Sequence, residues 1–292
     1  MQITKQRVML PMLLVLALPM ACTTTTPEPK PSPPPPEIIP PPPPTVSLGN
    51  KSHYAMCNGQ VRDMADILRP IVSDLEAQKI PYNRSAPQEW RDCSGNFLRL
   101  SSAVAAACPD AESELTAPAG VRPYVNGGNN VVQFNVPYRS TRSVAKWYAD
   151  RGRLTPIYYD DAPGVADIPQ DLLDHRNLIR PGAVVWFSRG RPVSTLGLEQ
   201  LFAAPSTPNN INHMATVTEV TRDPNGNVIQ YKMYHGHGKE AKGTPASVTT
   251  KQYFEFPASM SRSGPYPPLG YWSQRIVAVG TLLPPVTSAP VP

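Results

Sequence analysis

The chain has 292 residues, with 27 Lys and Arg against 22 Asp and Glu, a formal charge of +5, and 38 prolines. Lys5 and Arg7 belong to an N-terminal leader segment, and without them the balance is a formal +3. So small an excess gives no reason to expect a nucleic-acid partner.

Lys5 and Arg7 precede an apolar run from Val8 to Ala21, and Cys22 follows. A positive flank and an apolar core too short to span a bilayer read as a secretory leader over residues 1–21. Leu18-Pro19-Met20-Ala21-Cys22 resembles a bacterial lipobox, which implies that Cys22 is acylated and becomes the mature N-terminus. Several acyl chains on one residue hold a protein to a membrane where one would not. Thr23 stands next, and by resemblance to sorted lipoproteins the lack of Asp there implies the outer membrane, facing the periplasm. Residues 22–50 are a tether: twelve prolines fall between Pro27 and Pro44, with almost nothing apolar to bury. Extended polyproline of that length reaches on the order of 80 Å. Residues 51–283 suit one domain with insertions, and 284–292 read as a disordered tail.

Within the domain, Cys57 shares helical spacing with Val61, Met64, Leu68 and Leu75, which predicts an early helix kinked at Pro70. Asp92-Cys93-Ser94-Gly95 opens a second helix. Phe97, Leu100, Val104 and Cys108 follow at steps of four, three, four and four, and Pro109 ends it. Strands are predicted at Ala183–Phe187, Met214–Val220, Val228–Tyr234 and Arg275–Leu282, the last in a central position. Asp223-Pro224-Asn225-Gly226-Asn227 is the turn of a hairpin. The Pro, Gly, Tyr and Ser-rich stretch from Phe254 to Trp272 reads as a surface loop that could border a cleft. His53 and His175 read as surface residues.

Cys93 and Cys108 on one helix are about 22 Å apart at 1.5 Å per residue, whereas a disulfide needs Cα atoms within about 7 Å. Cys57 is therefore the only domain partner for Cys108, either in a disulfide or with both reduced and buried. In either case Cys93 remains a thiol, in a compartment that favours disulfides. A helix N-terminus and a nearby imidazolium both lower a thiol pKa. The hairpin centred on Pro224 sets His213 roughly across from His235, within two or three residues of register. One imidazole could then act as base toward Cys93 while the second orients the first. His235 is the choice for that second role and His237 its competitor. No CxxC or HExxH spacing supports a metal site, and no cofactor is expected.

In this order the features resemble the NlpC/P60 family of cysteine peptidases, which cut cell-wall peptides. The family's Asp-Cys-Ser-Gly tetrapeptide stands at 92–95, and its Pro-Gly before an apolar strand at Pro181-Gly182-Ala183-Val184. Its histidine-bearing strand matches Asn212-His213-Met214-Ala215, and its third polar residue matches Met233-Tyr234-His235. Val136-Pro137-Tyr138-Arg139-Ser140-Thr141 is similar to the stretch between the helix and the first strand. The family's tyrosine before the cysteine falls at Tyr82, but Ser85-Ala86-Pro87 replaces the Gly-Gly usual after it. Residues 109–135 and 189–212 are insertions that would shape which substrate fits.

The resemblance implies an α+β, papain-like fold with helices packed on an antiparallel sheet. It implies catalysis by Cys93, His213 and His235, with Tyr82 near the oxyanion and Asp92 and Ser94 at the amino end of a peptidoglycan stem peptide. The bond expected joins γ-D-glutamate to a diamino acid. A CHAP-like amidase or transferase, and an inactive wall-binding lipoprotein, are the rival readings.

Overall fold

The computed structural model describes residues 53–83, 90–115, 140–161, 168–203, 209–236, 243–253 and 274–286. The chain divides into two units, Met1–Thr45 and Val46–Pro292, and every described residue lies in the second. The leader, Cys22 and the tether lie outside the described residues, as do His237, the 254–272 loop and the Ser85-Ala86-Pro87 stretch. No described helix is long and apolar enough to cross a membrane.

The first elements correct the sequence reading. Cys57 is not helical: it ends β1 (Tyr54–Cys57), which turns through Asn58 and Gly59 into β2 (Gln60–Asp63). Both turn residues hold positive φ, +56° and +70°, the geometry in which Asn-Gly closes a two-residue hairpin at little steric cost. Helix α1 (Met64–Ala77) begins only afterwards, capped by Asp63, whose carboxylate accepts from the Ala65 N–H. Its buried face is Met64, Ile67, Leu68, Val72 and Leu75. The cysteine pairing holds despite the changed element, since Cys57 and Cys108 form a disulfide.

Helix α2 (Cys93–Ala107) starts at the cysteine and stops before Pro109, as expected. The stripe Phe97, Leu100, Val104 and Cys108 is buried, but so is every residue from Ser94 to Ser102, so the first part of the helix is enclosed on all sides, while Ala106 near its end is exposed. It packs against α1 and the sheet. Helix α3 (Thr141–Asp150), just after the stretch likened to a helix–strand connection, opens with a reciprocal Ser140–Ser143 capping box. Its Tyr148 ring meets Trp186 edge to face at 5.0 Å.

The remaining elements are β3 (Leu154–Pro156), α4 (Gln170–Asp174), β4 (Ala183–Ser188), α5 (Glu199–Phe202), β5 (Ile211–Arg222), β6 (Val228–His235), β7 (Ser247–Gln252) and β8 (Arg275–Thr281). Six strands form one antiparallel sheet in the order β3-β8-β4-β5-β6-β7. Every residue of β4 is buried, and β8 is internal, with only Thr281 partly exposed. Helices α1, α2 and α3 all pack on β5. The protein is thus of mixed α+β class, with a few helices on an antiparallel sheet. The stretch 189–212, read from the sequence as an insertion, contains α5 among its described residues, and the Gln200 side chain binds the backbone of Val193 and Gly197.

The domain holds its chain past residue 283, because the Val286 N–H donates to the Tyr54 carbonyl. That closure covers His53, which is 1% exposed rather than on the surface. Neither ring nitrogen of His53 makes a hydrogen bond of good geometry among the described residues. Burial, with Arg180 adding to it, lowers its pKa from 6.5 to about 4, against the opposing pull of the Pro284, Pro181 and Leu283 carbonyls.

Candidate active site

The first turn of α2 is built by its own tetrapeptide. Asp92 is the N-cap: its Oδ1 accepts from the Gly95 N–H at 2.8 Å, and its carbonyl accepts from the Asn96 side chain at 2.9 Å. Gly95 is required by space. A Cβ there would lie 2.5 Å from the Cα and carbonyl carbon of Trp90, whose backbone crosses the helix at positive φ, +52°. The backbone that leads into Asp92 is thus pressed onto the turn that carries the cysteine.

Three side chains from α2, β5 and β6 then converge. His213 Nδ1 is 2.9 Å from Cys93 Sγ, and His213 Nε2 is 3.1 Å from His235 Nδ1. The sheet supplies the register. Thr216 faces Tyr234 across β5 and β6, two residues out of the pairing that would set His213 directly opposite His235. The two histidines are therefore diagonal neighbours on one face, the spacing at which long side chains still touch. Their rings cross nearly at right angles, 88°, with centroids 5.1 Å apart. Phe187, paired with His213 across β4 and β5, packs its ring against the imidazole. Both histidines are buried, while Cys93 is partly exposed and is not in a disulfide. Cys93 thus stands at the partly exposed side of a cluster whose two histidines are buried.

The expected neighbours divide. Tyr82 is buried and tied by backbone hydrogen bonds with Thr244 and Gly243. Its ring borders Gly236, where a Cβ would come within 3.4 Å of Tyr82 Cδ2 and 2.8 Å of Asn96 Nδ2. Gly236 therefore links β6 to the start of α2 at close range, and its carbonyl lies 4.0 Å from the sulfur. Ser94 is buried, with its hydroxyl 3.4 Å from Asp92 Oδ1. This turns it toward the cap rather than toward an open cleft. His175 is partly exposed beside Asp171, away from the cluster.

Two contributors have no counterpart in the sequence reading. Gly236 follows His235, where an added Cβ would crowd the end of the Asn96 side chain. Thr249 comes from β7, with Oγ1 at 2.9 Å from His235 Nε2. The β-branched run Val248-Thr249-Thr250 was the available signal for that strand. Among the described residues no group of three or more His, Cys, Asp or Glu could hold a metal ion.

No family model, no curated protein and no solved structure matches this chain. Its function must be argued from the site alone.

Proposed function

We propose that the protein is a membrane-anchored peptidoglycan hydrolase of NlpC/P60 type, with a papain-like fold, that cuts an amide bond in stem peptides. The observation that carries this reading is the unbroken file from Cys93 Sγ through both nitrogens of His213 to His235. A thiol at a helix start, a base in contact with it and a group orienting that base are what nucleophilic acyl transfer requires.

In the proposed reaction His213 Nδ1 takes the Cys93 proton and the thiolate attacks the amide carbonyl carbon. The C=O π pair moves to oxygen, where backbone N–H groups at the start of α2 and the Tyr82 hydroxyl meet the charge. As the intermediate collapses, the C–N bond breaks and His213 returns its proton to the leaving amine. A thioester on Cys93 remains. Water, deprotonated by His213, attacks that thioester, the C–S bond breaks, and the free acid leaves with the thiol restored. While His213 is an imidazolium its Nε2–H donates to His235 Nδ1, which steadies both the charge and the ring. Asp92 supplies negative charge for the amino end of the peptide. The bond proposed is γ-D-glutamyl to diamino acid, and acylated Cys22 with its proline tether would carry the domain from the outer membrane to the wall.

Mass analysis of muropeptides after incubation tests this reading. Wild-type protein should release fragments cut between the γ-D-glutamyl residue and the diamino acid, and Cys93→Ala should release none. Equal release by both proteins would defeat the mechanism, and a cut at the sugar–peptide link would replace the endopeptidase by an amidase.

A further inference from the structure

We propose that a cavity at the β3–β8 edge of the sheet is a binding site for an oxyanion, a carboxylate or phosphate group, held by Arg180. The cavity shares no residue with the Cys93 cluster, and the proposal stands independently of the peptidase reading.

The cavity has a volume of about 330 Å³, at the lower end of the range for small-ligand sites. Arg153, Thr155, Arg180, Gly280, Thr281 and Pro284 line it, and no Asp or Glu does among the described residues. Its two arginines differ. Arg153 is spent on the protein: Nη1 donates to the Glu114 carbonyl at 2.8 Å and carboxylate at 3.1 Å, and Nη2 to the carbonyls of Thr281 and Leu282. The Arg180 guanidinium makes no hydrogen bond and no ion pair among the described residues, and its Nε is buried. Burial lowers its pKa.

The groups around Arg180 add positive charge. Arg222 is close enough for the two guanidiniums to repel. It donates through Nη1 to Asn177 Oδ1 and the Gly226 carbonyl, while its Nε and Nη2 are buried without an acceptor. His53, which Arg180 also repels, lies against Pro284, a residue of the cavity wall. A partly buried cation without an acceptor is costly, and proteins ordinarily pair it with a carboxylate. Here the chain supplies Glu114 to Arg153 and no acid to Arg180, yet a cavity of ligand size opens beside it. An oxyanion is the missing partner: the planar fork of an arginine donates two parallel N–H bonds to two oxygens of a carboxylate or phosphate. Its negative charge also relieves the repulsion between Arg180 and Arg222.

NMR titration of the full chain at pH 7.5 tests this, with sodium chloride holding ionic strength constant. The backbone amides of Thr155, Gly280 and Thr281 report on the cavity. The probes are inorganic phosphate, N-acetylalanine and the amide of N-acetylalanine. In the wild type at least one of the two anions should move these amides saturably, and the neutral amide should not. Saturation by phosphate alone identifies a free inorganic anion as the ligand. Tighter saturation by N-acetylalanine identifies a carboxylate carried on a peptide end. Arg180→Gln, which removes a charge with no protein partner, should stay folded and bind the anion about tenfold more weakly or less. Thr155→Asp on the edge strand places a carboxylate in the same cavity and should weaken binding at least as much, so the proposal remains testable even if Arg180→Gln does not fold. Drift without saturation in the wild type, equal binding of the neutral amide, or wild-type affinity in either folded variant overturns the site.

Discussion

Acidification should weaken this domain through His53 before most carboxylates matter. In the folded protein His53 takes up a proton only near pH 4, because burial disfavours the charged ring and Arg180 repels it. In the unfolded chain it does so near 6.5. Between those values the unfolded state binds the extra proton, so stability falls as pH falls and is unaffected by this group above about 7. The full gap corresponds to about 3 kcal/mol, of which about 2 kcal/mol is lost between pH 7.5 and pH 5. Urea unfolding of wild type and His53→Leu at those two pH values isolates the effect. Asp110 and Asp223, whose pKa values are lowered by hydrogen bonds, are present in both proteins and drop out of the comparison. Wild type should lose about 2 kcal/mol more than the variant between pH 7.5 and 5. Equal losses in the two proteins would refute the assignment.

Three further outcomes follow from the packing. The Cys57–Cys108 disulfide closes a sequence separation of 51, worth about 4 kcal/mol in chain entropy, so Cys57→Ala with Cys108→Ala should lower unfolding free energy by about that amount in guanidinium titration. A loss under about 1 kcal/mol would contradict it. Gly95→Ala should destabilise by about 2 kcal/mol or more, because its Cβ would meet Trp90 backbone that cannot rotate away. An unchanged melting temperature would show that this contact gives way easily. Gly236→Ala should cost less stability, since it meets only the end of the Asn96 side chain. It should still slow alkylation of Cys93 by disturbing the start of α2.

The strands that the sequence made plain are those whose apolar runs sit between strong turn signals. β4, β5, β6 and β8 were each bounded to within about three residues, and the 223–227 turn carried the register that joins the two histidines. The edge strands escaped notice for a physical reason. β3 is three residues ending in a proline, and β7 reads Ser-Val-Thr-Thr-Lys-Gln, with too little burial to leave a hydrophobic period. Thr249 was hidden with β7. Cys57 was misread because its spacing to Val61, Met64 and Leu68 fits a helix, while Asn58-Gly59 beside it is the stronger local instruction. His53 was misplaced because its burial depends on Arg180, Pro181, Leu283 and Pro284, distant in the chain. Cys93, His213 and His235 were legible because one helix start and one hairpin, both local features, bring them close.

The central claim is that the Cys93 sulfur forms a covalent bond to an acyl group and then releases it to water. Acid-quenched intact-protein mass spectrometry during turnover of a stem peptide observes that bond directly. The wild type should gain the mass of the peptide's acyl portion, localised to Cys93 and lost as hydrolysis completes, and Cys93→Ala should gain nothing. Product formation with no adduct at Cys93, or an adduct that persists in Cys93→Ala, would contradict it.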